Sequence, residues 1–169
     1  MKTVVPIELS DQSLEKARKE LQKFKESYSL AIKNIIRNAT EKAYDKVIDY
    51  CIQGNLGEYT SKIFCEYDYE NNVGRIWSDD LVIILNEFGT GIVGTQDAYA
   101  DAHNYTVNMS GKGESGWAFP TKDGGFKWTH GIKSKHMFYQ AFNDICAEFG
   151  YIINIELLGT MGLLYEPKE

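Results

Sequence analysis

Only three of the 169 residues are cysteine and only three are proline. Cys51, Cys65 and Cys146 form an odd set without close pairing, which excludes a disulfide framework and a CxxC zinc knuckle and suits a reducing cytosol. In that setting the sequons at Asn38, Asn104 and Asn108 carry no meaning. Long hydrophobic runs are missing too. The longest, Leu81 to Leu85 and Tyr151 to Ile155, fall far short of the roughly 20 residues that span a bilayer, and Met1 to Pro6 lack the apolar region of a signal peptide. A soluble protein that stays where it is made is expected, with no membrane partner. Basic charge is scarce: the net charge is −6, with residues 1 to 50 at +2 and residues 51 to 169 at −8. An acidic surface repels phosphate backbones, so tight nucleic-acid binding is disfavoured, while a surface that DNA passes without adhering remains allowed.

What is present is ordinary for a folded domain, 43% hydrophobic and 25% charged residues. A chain of this size buries roughly 70% of the surface that its unfolded form exposes. From Ser10 to about Gln53 there is no proline or glycine and helix formers dominate, so one long helix or two are expected, with Ser10 or Asp11 as the cap and Gly54 as the stop. Leu14, Ala17, Leu21, Phe24, Tyr28, Ala31 and Ile35 follow a 3-4 spacing, and a second stripe through Ile36, Ala43, Val47 and Tyr50 is shifted round the helix. A single helix would be on the order of 65 Å long, so its first half is expected to project toward a partner. Leu14, Leu21, Phe24 and Tyr28 are its candidate interface.

After the turn at Gly54 to Gly57 the period drops to two in KIFCEYDYE and VGRIW, an antiparallel hairpin around Asn71-Asn72. LVIILNEF reads as a third, central strand, with Asp79-Asp80 as the turn before it. Residues 89 to 116 form a long polar loop, of a length that is usually functional or mobile. GWAFP and GFKW bracket a second turn, a helix is expected from about Ser134 to Phe149 with Gly150 ending it, and YIINIELL reads as a final edge strand. The fold class is α+β: a helical segment over residues 1–53 followed by an antiparallel core over 54–169, one domain overall.

Few motifs promise chemistry. Gly89 to Gly94 matches GxGxxG, but that fingerprint needs a helix at its end and a parallel βαβ unit, and here a polar loop follows. The glycines then serve close backbone approach. A small-ligand or nucleotide-binding module using loop 89–94 is the alternative reading. His103, His130 and His136 offer no i, i+4 zinc pair, and Asp101, His103 and Glu114 read as solvated loop residues, so no metal or cofactor is expected. The cysteines lie on apolar stripes or in a strand, and neither Ser78 nor Ser115 sits in a GxSxG elbow, so no catalytic residue and no enzyme is expected. The 22 aromatic residues, unaccompanied by Lys and Arg, point to core and protein interfaces rather than to bases.

The strand ending in Glu87-Phe88-Gly89-Thr90-Gly91, the block from Trp117 through Trp128-Thr129 to Gly131, and an aromatic-rich helix with Phe138 and Ala141 resemble the neck or tail-completion proteins of long-tailed phages. This head-to-tail joining family also occurs in prophages and phage-tail-like bacteriocins, and the likeness covers roughly residues 15 to 147. Where family members carry a PVDTGxLxxSI-like segment, this chain reads Gln53 through Ile63 without the proline. The resemblance implies a structural protein, made in the bacterial cytoplasm and resident in a virion or tail-like particle. Its subunits would form a ring, six copies in the family, that caps the tube or sheath, adjoins a tail terminator and joins a head connector where a capsid exists. DNA would only pass through the lumen. Phe88 would anchor the strand end, Gly89 and Gly91 allow the sharp backbone change, Thr90 satisfy local backbone groups, and Glu87 pair across a subunit boundary.

Overall fold

The structure is a computed structural model and describes residues 11–108, 112–121 and 123–162; Ser10 and the segment before it lie outside these. It is α+β, with α1 (Asp11–Gln53), β1 (Phe64–Asp68), β2 (Val73–Trp77), α2 (Leu81–Phe88), β3 (Thr90–Gly91), α3 (Ala98–Ala102), α4 (Lys112–Ser115), β4 (Trp117–Pro120), β5 (Phe126–Thr129), β6 (Gly131–Ile132) and α5 (Met137–Gly162). The strands make three separate two-stranded sheets, β1-β2, β3-β6 and β4-β5. The chain divides into two compact units, with boundaries inside α1, β1, β2 and α5. One unit contains residues 11–39, 67–74 and 148–162, the other residues 40–66 and 75–147.

In the first unit α1 buries Ala17, Ala31 and Ile35, and α5 buries Ile152. Asn38 donates a side-chain hydrogen bond to Glu156. The hairpin turn is held by Asp68, whose carboxylate accepts from the backbone N–H of Glu70 and Asn71 at 3.1 Å each and from the Asn71 amide at 2.7 Å. Asn72 takes the left-handed conformation with φ 55°, which asparagine tolerates better than most residues.

In the second unit the core is Val47 and Cys51 of α1, Leu56, Ile63, Ile83 of α2, and Met137 and Ala141 of α5. The start of α5 therefore packs chiefly on helices, where a sheet was expected, and Ile76 of β2 reaches only the margin of this core. Tyr50 donates to Asp144 at 2.7 Å and Lys46 pairs with the same carboxylate at 3.4 Å, tying α1 to α5 along the edge of this core. α1 is one helix, and it stops one residue before Gly54. The Leu56 N–H bonds Cys51 O at 2.7 Å and the Asn55 N–H bonds Ile52 O at 3.0 Å. That is a Schellman ending, with the left-handed residue at Asn55, φ 60°, rather than at a glycine.

Two expected strands are helices. LVIILNEF forms α2 because Asp80 caps it, accepting from the N–H of Val82 at 2.8 Å and Ile83 at 3.3 Å, and because Gly89 at φ 81° closes it. Its buried positions Ile83, Asn86 and Glu87 have i, i+3, i+4 spacing, and an apolar run of five residues by itself fits either period. YIINIELL continues α5 to Gly162. Gly150 stops nothing, since it keeps a negative φ and no atom lies near the place of a Cβ. The sheltered positions 152, 153, 156 and 157 then fall on one helical face. The loop after Gly91 also carries order that periodicity does not show. Asp97 caps α3 through the Ala100 N–H at 2.9 Å, and the Gln96 side chain bonds Asp101 at 2.7 Å, Tyr105 O at 3.0 Å and the Val107 N–H at 2.8 Å.

Candidate functional site

Three helix ends meet around Glu87 in the second unit. Helices leave four N–H groups unpaired at their start and four carbonyls at their finish, and here two helices satisfy each other. The Glu87 carboxylate, on the last turn of α2, accepts from the N–H of Phe138 at 3.0 Å and Tyr139 at 3.1 Å in the first turn of α5. In return the Lys135 N–H bonds Asn86 O at 2.7 Å and the His136 N–H bonds Glu87 O at 3.3 Å. A negative group thereby sits at the positive end of the α5 dipole. The Lys135 ammonium donates to Gly54 O at 2.6 Å, a cation at the finish of α1.

Glu87 is only 3% exposed, and a buried carboxylate is tolerable only when its oxygens are paired. The third donor is the Tyr99 hydroxyl of α3, at 2.8 Å. Burial raises the Tyr99 pKa, and the adjacent Glu87 charge raises it further. Burial lowers that of Lys135. The Cys51 thiol below the joint is pushed up to about 11, chiefly by burial and then by Glu87, which suppresses the nucleophilic thiolate. His136, held at φ 51°, places Nε2 3.1 Å from Asp97 Oδ2, and its buried Nδ1 has no partner among the described residues. Phe88 stacks on Tyr105 with ring centroids 4.7 Å apart and on Tyr99 at 5.2 Å.

Most of the residues singled out in the sequence converge here. Thr90 pairs with Ile132 and Gly91 with Gly131 across β3-β6. The approach is so close that a Cβ on Gly91 would lie 2.0 Å from His130 O, and one on Gly131 would lie 1.9 Å from Thr90 O. Those glycines, and Gly94 with its Cβ place 2.7 Å from Thr90 N, are filled by this chain's own atoms. The Thr129 hydroxyl donates to Gly131 O at 2.8 Å, and Thr129 faces Trp117 across β4-β5. Phe138 is half-buried against the core. Phe88 thus anchors a helix end, not a strand end, and Glu87 is spent inside the chain rather than across a subunit boundary.

The remaining candidates lie elsewhere. Trp128 is 64% exposed and shares one face of the β4-β5 hairpin with Phe126, 74% exposed, and with exposed Ala118 and Pro120. Leu14, Leu21, Phe24 and Tyr28 are all exposed on α1. The sequence reading missed Tyr99, Asp97, Lys135 and His136. Only Asp97 left a legible signal there, as an N-cap residue three positions before the amide it binds. Among the described residues there is no cluster of three His, Cys, Asp or Glu side chains that could hold a metal ion, and no helix long and apolar enough to cross a membrane. No protein-family model, curated protein or solved structure matches this chain.

Proposed function

We propose that this chain is a structural subunit of a phage or phage-like tail, assembling as a ring at its head-proximal end and acting without catalysis. The observation that carries the reading is the joint itself. The blocks that resemble the neck and tail-completion family, Glu87 to Gly91 and Thr129 to Gly131 with Phe138, lie some 40 residues apart in sequence and meet in one packed splice of three helix ends and a two-stranded sheet. Every polar group of Glu87 is used to hold that splice together, which is the work of a scaffold. The apolar surface left uncovered on α1 and on the β4-β5 hairpin is available for contacts with other subunits. The excess of acidic residues after Tyr50 suits a lumen through which DNA passes without adhering.

The test is binding to tail tubes. The protein is mixed with purified tubes, the complex is sized by light scattering, and the tube ends are imaged by electron microscopy. A ring or cap at one end is the expected result. A protein that leaves both ends bare removes the proposal.

A further inference from the structure

We propose that the first half of α1 packs against the same segment of a second copy of this chain, with the two helices pointing the same way. The inference rests on the self-assembly part of the proposed function and not on the tail. Leu14, Leu21 and Tyr28 repeat every seven residues, and Ala17 and Phe24 repeat every seven between them. These are the a and d positions of a heptad seam, the pattern that joins helices side by side. Ala17 of the seam is buried, 6% exposed, but beyond it the seam lies open: Leu21, Phe24 and Tyr28 are 59%, 39% and 49% exposed, Leu14 before it is 51% exposed, and no residue from 18 to 30 is buried. The Phe24 and Tyr28 rings already stack along the helix, centroids 6.4 Å apart and planes 15° from parallel, so two layers of the seam stand ordered as one aromatic surface. Single exposed apolar residues need no explanation, but a continuous stripe does. The stripe ends where the chain covers it, at buried Ala31 and Ile35.

Charge selects the occupant and its direction. The e positions beside this seam are Arg18 and Lys25, and the charged g position is Glu20. In a parallel bundle, g of one helix faces e of the following heptad in its neighbour. Glu20 then meets Lys25 of the partner subunit, and the contact recurs at every helix interface. An antiparallel pair sets e against e and g against g, which opposes cations to cations and Glu20 to its own copy. No ion pair among the described residues engages Glu20 or Lys25. Parallel helices are also what a ring about one axis requires of its subunits.

The experiment uses the full chain and sedimentation equilibrium over a wide concentration range. The wild type, Glu20→Lys, Lys25→Glu and an equimolar mixture of the two variants are compared. Both positions are exposed, so the helical content read by circular dichroism is expected to stay unchanged. The wild type is expected to self-associate. Each variant alone faces like charge with like and associates roughly tenfold more weakly. The mixture regains wild-type association, because every reversed position then meets its opposite. A wild type that stays monomeric throughout, variants that associate as the wild type does, or a mixture that fails to recover overturns the inference. Rings on tail tubes formed equally by both variants would overturn the seam and keep the tail. A seam that passes while tubes stay bare would do the reverse.

Discussion

Glu87→Gln should cost this fold more than any other isosteric change in the second unit. The carboxylate is 3% exposed and accepts three hydrogen bonds, from Tyr99 at 2.8 Å and from the N–H groups of Phe138 and Tyr139 at 3.0 and 3.1 Å. Glutamine keeps one oxygen and places an NH2 where the other stood, so a donor faces a buried backbone donor. An orphaned N–H costs about 1–3 kcal/mol. Losing the negative group at a helix start costs about 0.5–1 kcal/mol more, partly offset by relief of the charge's own desolvation. The net expectation is a loss of about 1–3 kcal/mol, or roughly 2–12 °C in melting temperature for a chain of this size. Tyr99→Phe removes one donor and leaves both backbone bonds intact, so it should cost only about 1 kcal/mol. Urea unfolding at pH 7 compares the two, and amide exchange at Phe138 and Tyr139 reads the loss where it arises. A Glu87→Gln protein within about 0.5 kcal/mol of wild type, or one less damaged than Tyr99→Phe, would refute the claim that this carboxylate holds the start of α5.

Four further outcomes are expected. Gly91→Ala should destabilise by more than about 3 kcal/mol, because the left-handed φ of 65° is closed to alanine at low cost and its Cβ would lie 2.0 Å from His130 O; a urea midpoint near that of wild type would contradict the β3-β6 register. Gly150→Ala should stabilise by about 0.5–1 kcal/mol, since the glycine lies inside α5 with open space around it; a lower melting temperature would mean that the helix ends there after all. Stability should fall as pH rises from 9 toward 11, because the Cys51 thiol is raised from 9.0 to about 11 in the folded chain and so holds its proton more tightly there than when unfolded. Unfolding free energy measured against pH checks this, and a flat profile across that window would be inconsistent with it. A thiol reagent at pH 8 should label exposed Cys146 first and buried Cys51 only on unfolding.

The parts of the fold that were legible in the sequence are those whose order is local. α1 shows itself by 43 residues without a helix breaker, the first hairpin by period-two runs around Asn71-Asn72, the second by GWAFP and GFKW on either side of a turn, and the two-sided use of α1 by its shifting apolar stripe. The glycines at 89 and 91 read correctly as places of close backbone approach. The two apolar runs that read as strands are helical in the structure. In LVIILNEF the decision belonged to Asp80, whose side chain reaches two amides, and in YIINIELL it belonged to a helix already under way from Met137. Apolar content alone fits either period in so short a run.

The joint around Glu87 could not be read before folding. Composition and local pattern determined an acidic α+β chain with a long helix, uncovered seam residues and glycines packed against backbone, because those properties depend on neighbours a few positions away. Glu87 meets Tyr99, Phe138 and Tyr139 across 12, 51 and 52 residues, and the partners of a buried charge are chosen by whichever helix ends the packing brings together. Only the tertiary structure decided that this glutamate faces inward, because a carboxylate can be buried only where the fold supplies donors for its oxygens.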